Sequence, residues 1–278
     1  MRCVKPFQTK EGYLVGCGVC MPCRINRTQE WAIRIEHEAE GKDGCFLTLT
    51  YREDPGTLMK EDLVKFIKRL RERIKPVKIK YYCCGEYGDI NGRAHYHCII
   101  IGWRPSDIKR VNGQQYSSEF IASLWIEGYN VVGAIEGPSV RYVTGYIRKK
   151  LIGKESLKYE GKEPQFAIMS LGIGKDYCMK NRKMFLDKDY ITKNGVKMAI
   201  PRYYKKLTEE KYGGLKALRK IRAEDYRSGI MKEYINDCKD LNNYIDKVEK
   251  YRSLERSDRQ RRRNEAEAKE KKIKKGDL

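Results

Sequence analysis

The chain has 278 residues, of which 40% are hydrophobic, enough for one sizeable folded domain with an extension or for two small domains. Its 59 lysines and arginines outnumber its 38 aspartates and glutamates and give a formal net charge of +21. This composition excludes a wholly disordered chain, and the charge predicts salt-dependent binding of a polyanion, with nucleic acid as the leading partner.

A membrane partner is not expected. The sequence has no run of about 18 apolar residues that could span a bilayer, and residues 1–16 lack the apolar stretch of a secretory signal. We therefore predict a soluble intracellular protein, in which the ten cysteines stay reduced and serve as buried thiols or metal ligands. Four of them lie in strand-like apolar runs and are predicted core residues: Cys45, Cys83, Cys84 and Cys98.

The chain begins with a cysteine-rich segment, residues 1–30, that is predicted to be loop-like. Cys17, Cys20 and Cys23 form a C-x2-C-x2-C pattern, and Cys3 could complete four thiolates around a structural Zn²⁺. Such an ion would fold a stretch that is too short to build its own core. Free thiols and an iron–sulfur site are the alternatives, because the spacing is not specific for zinc.

Helical and strand patterns alternate after this segment. The spacing of apolar residues predicts a helix over residues 31–40, a strand over residues 45–54 and an amphipathic helix over residues 58–74, which Pro76 ends. The apolar stripe of this second helix consists of Leu63, Phe66, Ile67, Leu70 and Ile74.

Two β-rich runs flank Asn91-Gly92, a strong signal for an antiparallel hairpin. If these two residues form the whole turn, Glu86 faces His97 across the pair. A longer loop would keep the same face but move the partner of Glu86 by two positions. In either register Glu86, His95 and His97 are predicted to share one side of the sheet.

Histidine is rare in this chain, yet two of its three histidines stand at positions 95 and 97. On a strand this spacing directs both imidazoles to one face, while Tyr96 points to the other, towards the core. With Glu86 they would form a ligand set for Mg²⁺ or Mn²⁺ that leaves positions open for water and phosphate oxygens. The alternative is a pair of ordinary sheet histidines that bond locally.

Further along, we expect a helix over residues 117–128, a strand over residues 129–136 and a helix over residues 137–153. On the last helix Tyr142 and Tyr146 are four residues apart, so their phenols would lie side by side. The alternative is that both tyrosines pack the helix onto the sheet. Three basic residues follow the second tyrosine: Arg148, Lys149 and Lys150.

The rest of the chain has weaker signals. Residues 156–204 are predicted to form an irregular accessory region, and residues 205–278 a charged helical extension with a tail that is mobile in isolation. The tail is either a solvated surface or a non-specific grip on DNA phosphates. Positive charge is also in excess before residue 205, so polyanion binding should involve the body of the protein too.

These residues fit one reaction. A tyrosine phenolate can attack a DNA phosphodiester in line, which leaves a phosphotyrosine bond and a free hydroxyl. Because the ordinary pKa of tyrosine is about 10, the attack needs nearby cations, which a metal ion at the histidines and Lys149 would supply. Two adjacent tyrosines suit an exchange of one covalent bond for another.

Three segments in this order resemble the motifs of HUH endonucleases: FLTLTY (residues 46–51), GRAHYHCIIIG (residues 92–102) and YVTGYIRKK (residues 142–150). The cysteine-rich start, the WAIR helix and the CGEYG segment are similar to the two-tyrosine rolling-circle replication initiators of microvirus-type single-stranded DNA phages. The resemblance covers about residues 1–152. Tyr96 departs from the aliphatic residue usual between the two histidines, which leaves the ligand geometry intact.

The resemblance implies an α+β fold, an antiparallel β-sheet flanked by helices with an RRM- or ferredoxin-like core, over residues 31–155. It also implies an enzyme that nicks one strand at an origin, stays bound to the 5′ phosphate, leaves a 3′ hydroxyl and later rejoins the displaced strand. The implied roles are metal binding by His95, His97 and Glu86, nucleophilic attack by Tyr142 and Tyr146, and support by Lys149.

The implied partners are single-stranded DNA at a replication origin and the host helicase and polymerase, in the cytoplasm of the bacterial host. Arg93, Arg148 and Lys150 are candidate DNA contacts. One alternative is a non-catalytic zinc-containing DNA-binding protein with structural histidines. Another is a relaxase or transposase of the same superfamily, which the lack of a helicase P-loop disfavours.

Overall fold

The computed structural model describes residues 3–8, 10, 14–89, 91–113, 115–149, 159, 161–187, 190–193, 195–212 and 264. These residues fall into two compact units: residues 27–181, and the described residues before 27 and after 181. Lys150 and most of the predicted C-terminal extension lie outside the described residues. Within the described part of the chain, no helix is both long enough and apolar enough to cross a bilayer.

The N-terminal segment contains more regular structure than its sequence predicts. Strands β1 (Phe7–Gln8) and β2 (Leu14–Val15) pair antiparallel, and helix α1 (Met21–Ala39) follows. The prediction of a loop up to residue 30 was therefore wrong over residues 21–30. Pro22 is compatible with this early start, because the backbone N–H groups of the first helical turn have no partner within the helix.

Seven strands and the helices between them build the unit of residues 27–181. After α1 its elements are β3 (Gly44–Tyr51), α2 (Lys60–Arg73), β4 (Lys80–Tyr87), β5 (Ala94–Ile101), β6 (Ile108–Asn112), β7 (Gln115–Ser118), α3 (Glu119–Leu124), β8 (Gly128–Gly133), α4 (Gly137–Lys149), β9 (Phe166–Met169) and α5 (Lys175–Lys180). The strands form one antiparallel sheet in the order β6-β7-β8-β3-β5-β4-β9.

Within this sheet, β3, α2, β4, β5, α3 and β8 follow one another in a βαββαβ arrangement, with the four strands in the spatial order β8-β3-β5-β4. This is the ferredoxin-like arrangement. The α+β fold class, with an antiparallel sheet flanked by helices, is confirmed, and β5, which carries both histidines, lies inside the sheet between β3 and β4.

The two faces of the sheet bury different helices. On one face, the apolar stripe of α2 and residues Ile121 and Leu124 of α3 pack against Leu47, Leu49 and Tyr96. On the other face, α1 and α4 pack against the sheet through clusters that include Ile35, Val140 and Val143. The four cysteines predicted to be core residues, at positions 45, 83, 84 and 98, are all buried.

The hairpin between β4 and β5 differs from the two-residue turn. Glu86 pairs with His95, not with His97. The Gly88 N–H donates to the Arg93 carbonyl at 2.9 Å, and the Gly92 N–H donates to the Gly88 carbonyl at 2.9 Å, so the turn takes in residues 89–92. Gly92 adopts φ +61°, which suits glycine. The longer loop shifts the pairing by two positions and keeps the face, as the second register predicted.

Several elements were missed or misjudged in length. The helix expected over residues 117–128 is only α3, which starts where the Ser118 hydroxyl accepts the Ile121 N–H at 3.1 Å. The region predicted to be irregular contains β9 and α5, and in the other unit it contains α6 (Arg182–Asp187), β10 (Tyr190–Lys193), β11 (Val196–Ala199) and the start of α7 (Arg202–Tyr212). In that unit β10 and β11 pair antiparallel.

Candidate active site

Glu86, His95 and His97 meet on the sheet face that also carries α4. We call these three residues the carboxylate–histidine cluster. Glu86 Oε1 lies 3.6 Å from His95 Nε2 and 3.2 Å from His97 Nε2. One ligand atom from each residue lies within 4.8 Å of the others, so the three could hold a metal ion together. Glu86 and His97 are buried, whereas His95 is partly exposed.

Neighbouring groups set the orientation of both imidazoles. His97 Nδ1 is 3.0 Å from the Thr48 hydroxyl, and His95 Nδ1 is 3.0 Å from the Arg93 carbonyl. Because a carbonyl can only accept, His95 Nδ1 carries the proton, and a neutral ring then turns the lone pair of Nε2 towards Glu86. A lone pair and a carboxylate that face each other favour a cation between them, so this donor set fits a divalent metal ion.

Tyr142 extends from α4 to this cluster. Its ring meets the His97 ring edge to face, with the centroids 4.9 Å apart, and half of the residue remains exposed. Burial of the phenol and the negative charge of Glu86, which also accepts its hydrogen bond, raise the pKa of Tyr142 above the usual value. In the absence of a cation, Tyr142 is therefore a neutral phenol at physiological pH.

Tyr146 lies in different surroundings, although it is on the same side of α4. Its ring packs against Tyr82 of β4, with the centroids 6.4 Å apart. Tyr82 precedes Glu86 by four residues on the strand, a distance of about 13 Å along β4. Burial raises the pKa of Tyr146. The two phenols predicted to lie side by side thus occupy a half-exposed site at the cluster and a more buried site beside it.

The predicted basic residues are less fully described. The backbone of Arg148 and Lys149 forms the end of α4, but their side chains and all of Lys150 lie outside the described part of the structure. The Arg93 guanidinium donates hydrogen bonds to the carbonyl oxygens of Tyr51 and Arg52, the latter at 2.8 Å. Arg93 therefore ties the hairpin turn to the end of β3, and its contact with DNA stays a prediction.

The sequence reading missed Thr48, Tyr129 and Arg52. Tyr129 of β8 pairs with Thr50, which on its other side pairs with His95, so all three residues face the same way. Two strand spacings place Tyr129 about 10 Å from the strand of His95. Its side chain is 58% exposed, and the Arg52 guanidinium lies 5.9 Å from its ring. Strand alternation could have found this tyrosine, but the order of the strands was needed to bring it near the histidines.

The structure also brings together the four cysteines of the N-terminal segment, in the unit that precedes residue 27. The sulfur atoms of Cys3, Cys17, Cys20 and Cys23 all lie within 4.8 Å of one another, so these residues could hold a second metal ion.

Comparison with known proteins gives consistent matches. Residues 44–151 match the model of a protein family described as replication-associated protein ORF2. The chain is 32% identical over 250 residues to Replication-associated protein VP4 of Bdellovibrio phage phiMH2K, covering 82% of this chain and 79% of that protein. It is 29% identical over 235 residues to Replication-associated protein ORF2 of Spiroplasma virus 4, covering 75% and 73% of the two chains.

A third relative is Replication-associated protein ORF4 of Chlamydia phage 1, which is 29% identical over 248 residues, covering 80% of this chain and 59% of that protein. No solved structure matches the chain significantly. The fold, the order of the three motifs and the extent of these matches lead to one conclusion: the chain belongs to the phage replication-associated proteins, a family of rolling-circle replication initiators.

Proposed function

We propose that the chain is a metal-dependent endonuclease and strand transferase that nicks one strand of a replication origin and later rejoins it. The observation that carries the proposal is the contact of Tyr142 with the carboxylate–histidine cluster, where its ring lies 4.9 Å from that of His97. A half-exposed phenol beside a set of metal ligands is the combination that attack on a phosphodiester requires.

Mg²⁺ or Mn²⁺ is the metal we propose for this cluster, because one carboxylate and two imidazoles leave coordination positions for water and phosphate oxygens. When bound, the ion would polarise a non-bridging phosphate oxygen and stabilise the charge that develops there. The chain supplies the three ligands, and Thr48 and the Arg93 carbonyl orient the two rings through Nδ1.

In the first cut, the Tyr142 oxygen forms a bond to the phosphorus of the scissile phosphate. The bond between phosphorus and the 3′ oxygen breaks, and the phenolic proton is transferred, through water or Glu86, to the released 3′ oxygen. The products are a 5′ phosphotyrosine and a 3′ hydroxyl, so the energy of the phosphodiester is kept for rejoining. We assign this cut to Tyr142 because it is exposed and contacts the cluster.

Tyr146 is the proposed nucleophile for the second cut, after one round of replication. A 3′ hydroxyl then attacks the Tyr142 phosphotyrosine, which releases Tyr142 and closes the displaced strand. Because Tyr146 packs against Tyr82, its phenol must leave this position before it can attack. Lys149, on the same helix, is proposed to stabilise the charge of a phenolate or of the phosphate.

Single-stranded DNA is the proposed substrate, held by positive charge and by aromatic stacking. The net charge of +21 supports attraction of the phosphate backbone. Tyr129 and Arg52 lie on the same sheet face as His95, where an exposed ring could stack on a base next to the cut. A host polymerase would extend the 3′ hydroxyl and a host helicase would open the duplex, which places the reaction in the cytoplasm of the bacterial host.

The proposal can be tested with labelled single-stranded oligonucleotides tiled across the genome that encodes the chain. Each is incubated with the full chain and Mg²⁺ or Mn²⁺, and adducts that survive SDS are separated and digested for mass spectrometry. We expect one origin oligonucleotide to give an adduct on the peptide that contains Tyr142. Tyr116→Phe, which changes an exposed tyrosine on β7, serves as the matched control.

Two results would reject the proposal. A peptide that carries the DNA through a residue other than Tyr142 or Tyr146 would reject the nucleophile assignment. Tight binding of origin DNA with no adduct at any oligonucleotide or metal would instead indicate the non-catalytic DNA-binding protein.

A further inference from the structure

We propose that Cys3, Cys17, Cys20 and Cys23, here called the four-cysteine cluster, bind one structural Zn²⁺ that is separate from the metal of the nuclease site. All four sulfur atoms lie within 4.8 Å of one another. The cluster belongs to the N-terminal segment and does not share a residue with the carboxylate–histidine cluster. The proposal does not depend on the nuclease activity.

The sulfur separations suit a single tetrahedral ion. Four thiolates at a Zn–S distance of about 2.3 Å stand about 3.8 Å from each other at the corners of a tetrahedron. The sulfur atoms of Cys3 and Cys20 are 3.7 Å apart. A disulfide requires a sulfur separation of about 2.05 Å, so this geometry fits thiolates around an ion rather than a covalent bond.

Backbone N–H groups point at the sulfur atoms of the cluster. Cys3 Sγ accepts from the Cys17 N–H at 3.2 Å and from the Lys5 N–H at 3.4 Å. Cys17 Sγ accepts from the Cys20 N–H at 3.4 Å. Such donors stabilise the negative charge of thiolates, which is the form of cysteine that binds a metal.

Two glycines make room for the cluster. A Cβ atom at Gly16 would lie 3.0 Å from the Cys23 sulfur, so a larger residue there would disturb that ligand. Gly18, between Cys17 and Cys20, has φ +77°, a conformation that favours glycine. The turn that brings these two cysteines together is therefore compatible with the sequence C-G-V-C.

Hydrophobic burial does little to hold this segment. Phe7 of β1 and Val19 of the turn are each 54% exposed. The paired strands β1 and β2 have only two residues each, and a hairpin of this size is marginal on its own. A bound ion would instead join four points of the segment, from Cys3 to the first turn of α1, and supply the stability that a core does not.

Metal content is the direct test. The full chain is purified without added metal, dialysed, and analysed by inductively coupled plasma mass spectrometry. We expect one zinc per chain, retained when His95→Ala and His97→Ala are combined and lost when Cys20→Ser and Cys23→Ser are combined. Cys178→Ala, which changes a buried cysteine of α5, is the matched control and should keep its zinc.

A second measurement covers the case in which the double serine variant fails to fold. Zinc in the unmodified chain is exchanged for Co²⁺, and we expect the visible absorption of tetrahedral thiolate coordination. Iron in place of zinc, cysteines of the cluster found as disulfides under non-reducing conditions, or a metal-free chain with the same melting temperature after zinc is added would overturn the proposal. Loss of nicking activity alone would not bear on it.

Discussion

The rings of His97 and Tyr142 meet edge to face, with their centroids 4.9 Å apart and an interplanar angle of 89°. This contact joins β5 to α4 and links the proposed metal ligands to the proposed nucleophile. Tyr146, one helical turn further on, instead packs against Tyr82. The two tyrosines therefore have unequal access to the cluster.

This inequality predicts different effects of the two Tyr→Phe changes. Tyr142→Phe removes the attacking oxygen while keeping the ring contact with His97, so we expect the first cleavage of an origin oligonucleotide to fall by at least about 1,000-fold. Tyr146→Phe should leave the first cleavage within a few-fold of the unchanged chain and abolish joining of two oligonucleotides. Denaturing gels of cleavage and joining products measure both steps, and equal loss of the first cut in the two variants would contradict the assignment.

Thr48 is predicted to be a positioning residue for metal binding. Its hydroxyl lies 3.0 Å from His97 Nδ1 and fixes the orientation of that ring. Loss of such a partner typically weakens a metal site by roughly 10–100-fold. We expect Thr48→Val to raise the Mn²⁺ concentration needed for half-maximal nicking by this factor, with little change in the rate at saturating metal.

Thr50→Val is the matched control, because Thr50 stands two residues further along β3 and faces the same way. It should leave the metal requirement unchanged. If Thr48→Val instead lowered the rate at saturating Mn²⁺ without moving the metal requirement, Thr48 would not act through His97.

The sequence could predict much of the candidate site because side-chain direction on a strand depends on parity. The turn between β4 and β5 is longer than Asn91-Gly92 indicates, yet the shift of two positions leaves Glu86 on the face of both histidines. The same alternation places Tyr96 on the opposite face, where it is buried in the core. A shift of one position would have separated the carboxylate from the imidazoles.

What the sequence could not predict depends on contacts between distant segments. Strand β6 is mostly exposed, so it lacks the alternation of a half-buried strand. Strand β9 becomes part of the sheet only by pairing with β4. The different surroundings of Tyr142 and Tyr146 arise because α4 crosses the sheet over Tyr82, which helical spacing alone cannot reveal.

Glu38 of α1 is predicted to be important for stability. Burial disfavours its charge, but hydrogen bonds from Lys42, Lys80 and the Gly174 N–H outweigh that effect and lower the pKa of Glu38 below its usual value of 4.5. Its carboxylate is almost fully buried. We expect Glu38→Gln to lower the free energy of unfolding at pH 7 by about 2 kcal/mol, because it weakens several charge-assisted hydrogen bonds.

The pH dependence follows from the direction of this shift. A lowered pKa in the folded state stabilises the protein fully above the unfolded value of about 4.5, and the stabilisation is lost as the pH falls through the folded pKa. The difference between the unchanged chain and Glu38→Gln, measured by urea unfolding, should therefore be constant near neutral pH and shrink below about pH 4.5. A difference that grew as the pH fell would contradict this role.

Tyr129 is predicted to contribute to DNA binding through base stacking. It is 58% exposed on the sheet face that carries His95, and Arg52 lies beside its ring. Stacking of a base on an exposed aromatic ring is worth about 1–3 kcal/mol. We therefore expect Tyr129→Ala to weaken binding of single-stranded DNA by roughly 5–150-fold in fluorescence anisotropy titrations.

Tyr116→Ala separates stacking near the cluster from a general loss of exposed aromatic surface. Tyr116 is also exposed, but it pairs with Val132, which lies on the opposite face from Tyr129 and His95. This control should bind DNA as tightly as the unchanged chain. Stacking does not depend on counterion release, so Tyr129→Ala should lower affinity without changing the slope of affinity against salt concentration, whereas Arg52→Ala should reduce that slope if its guanidinium contacts phosphate. Equal weakening by Tyr116→Ala and Tyr129→Ala would show that the DNA does not cross the face that carries the carboxylate–histidine cluster.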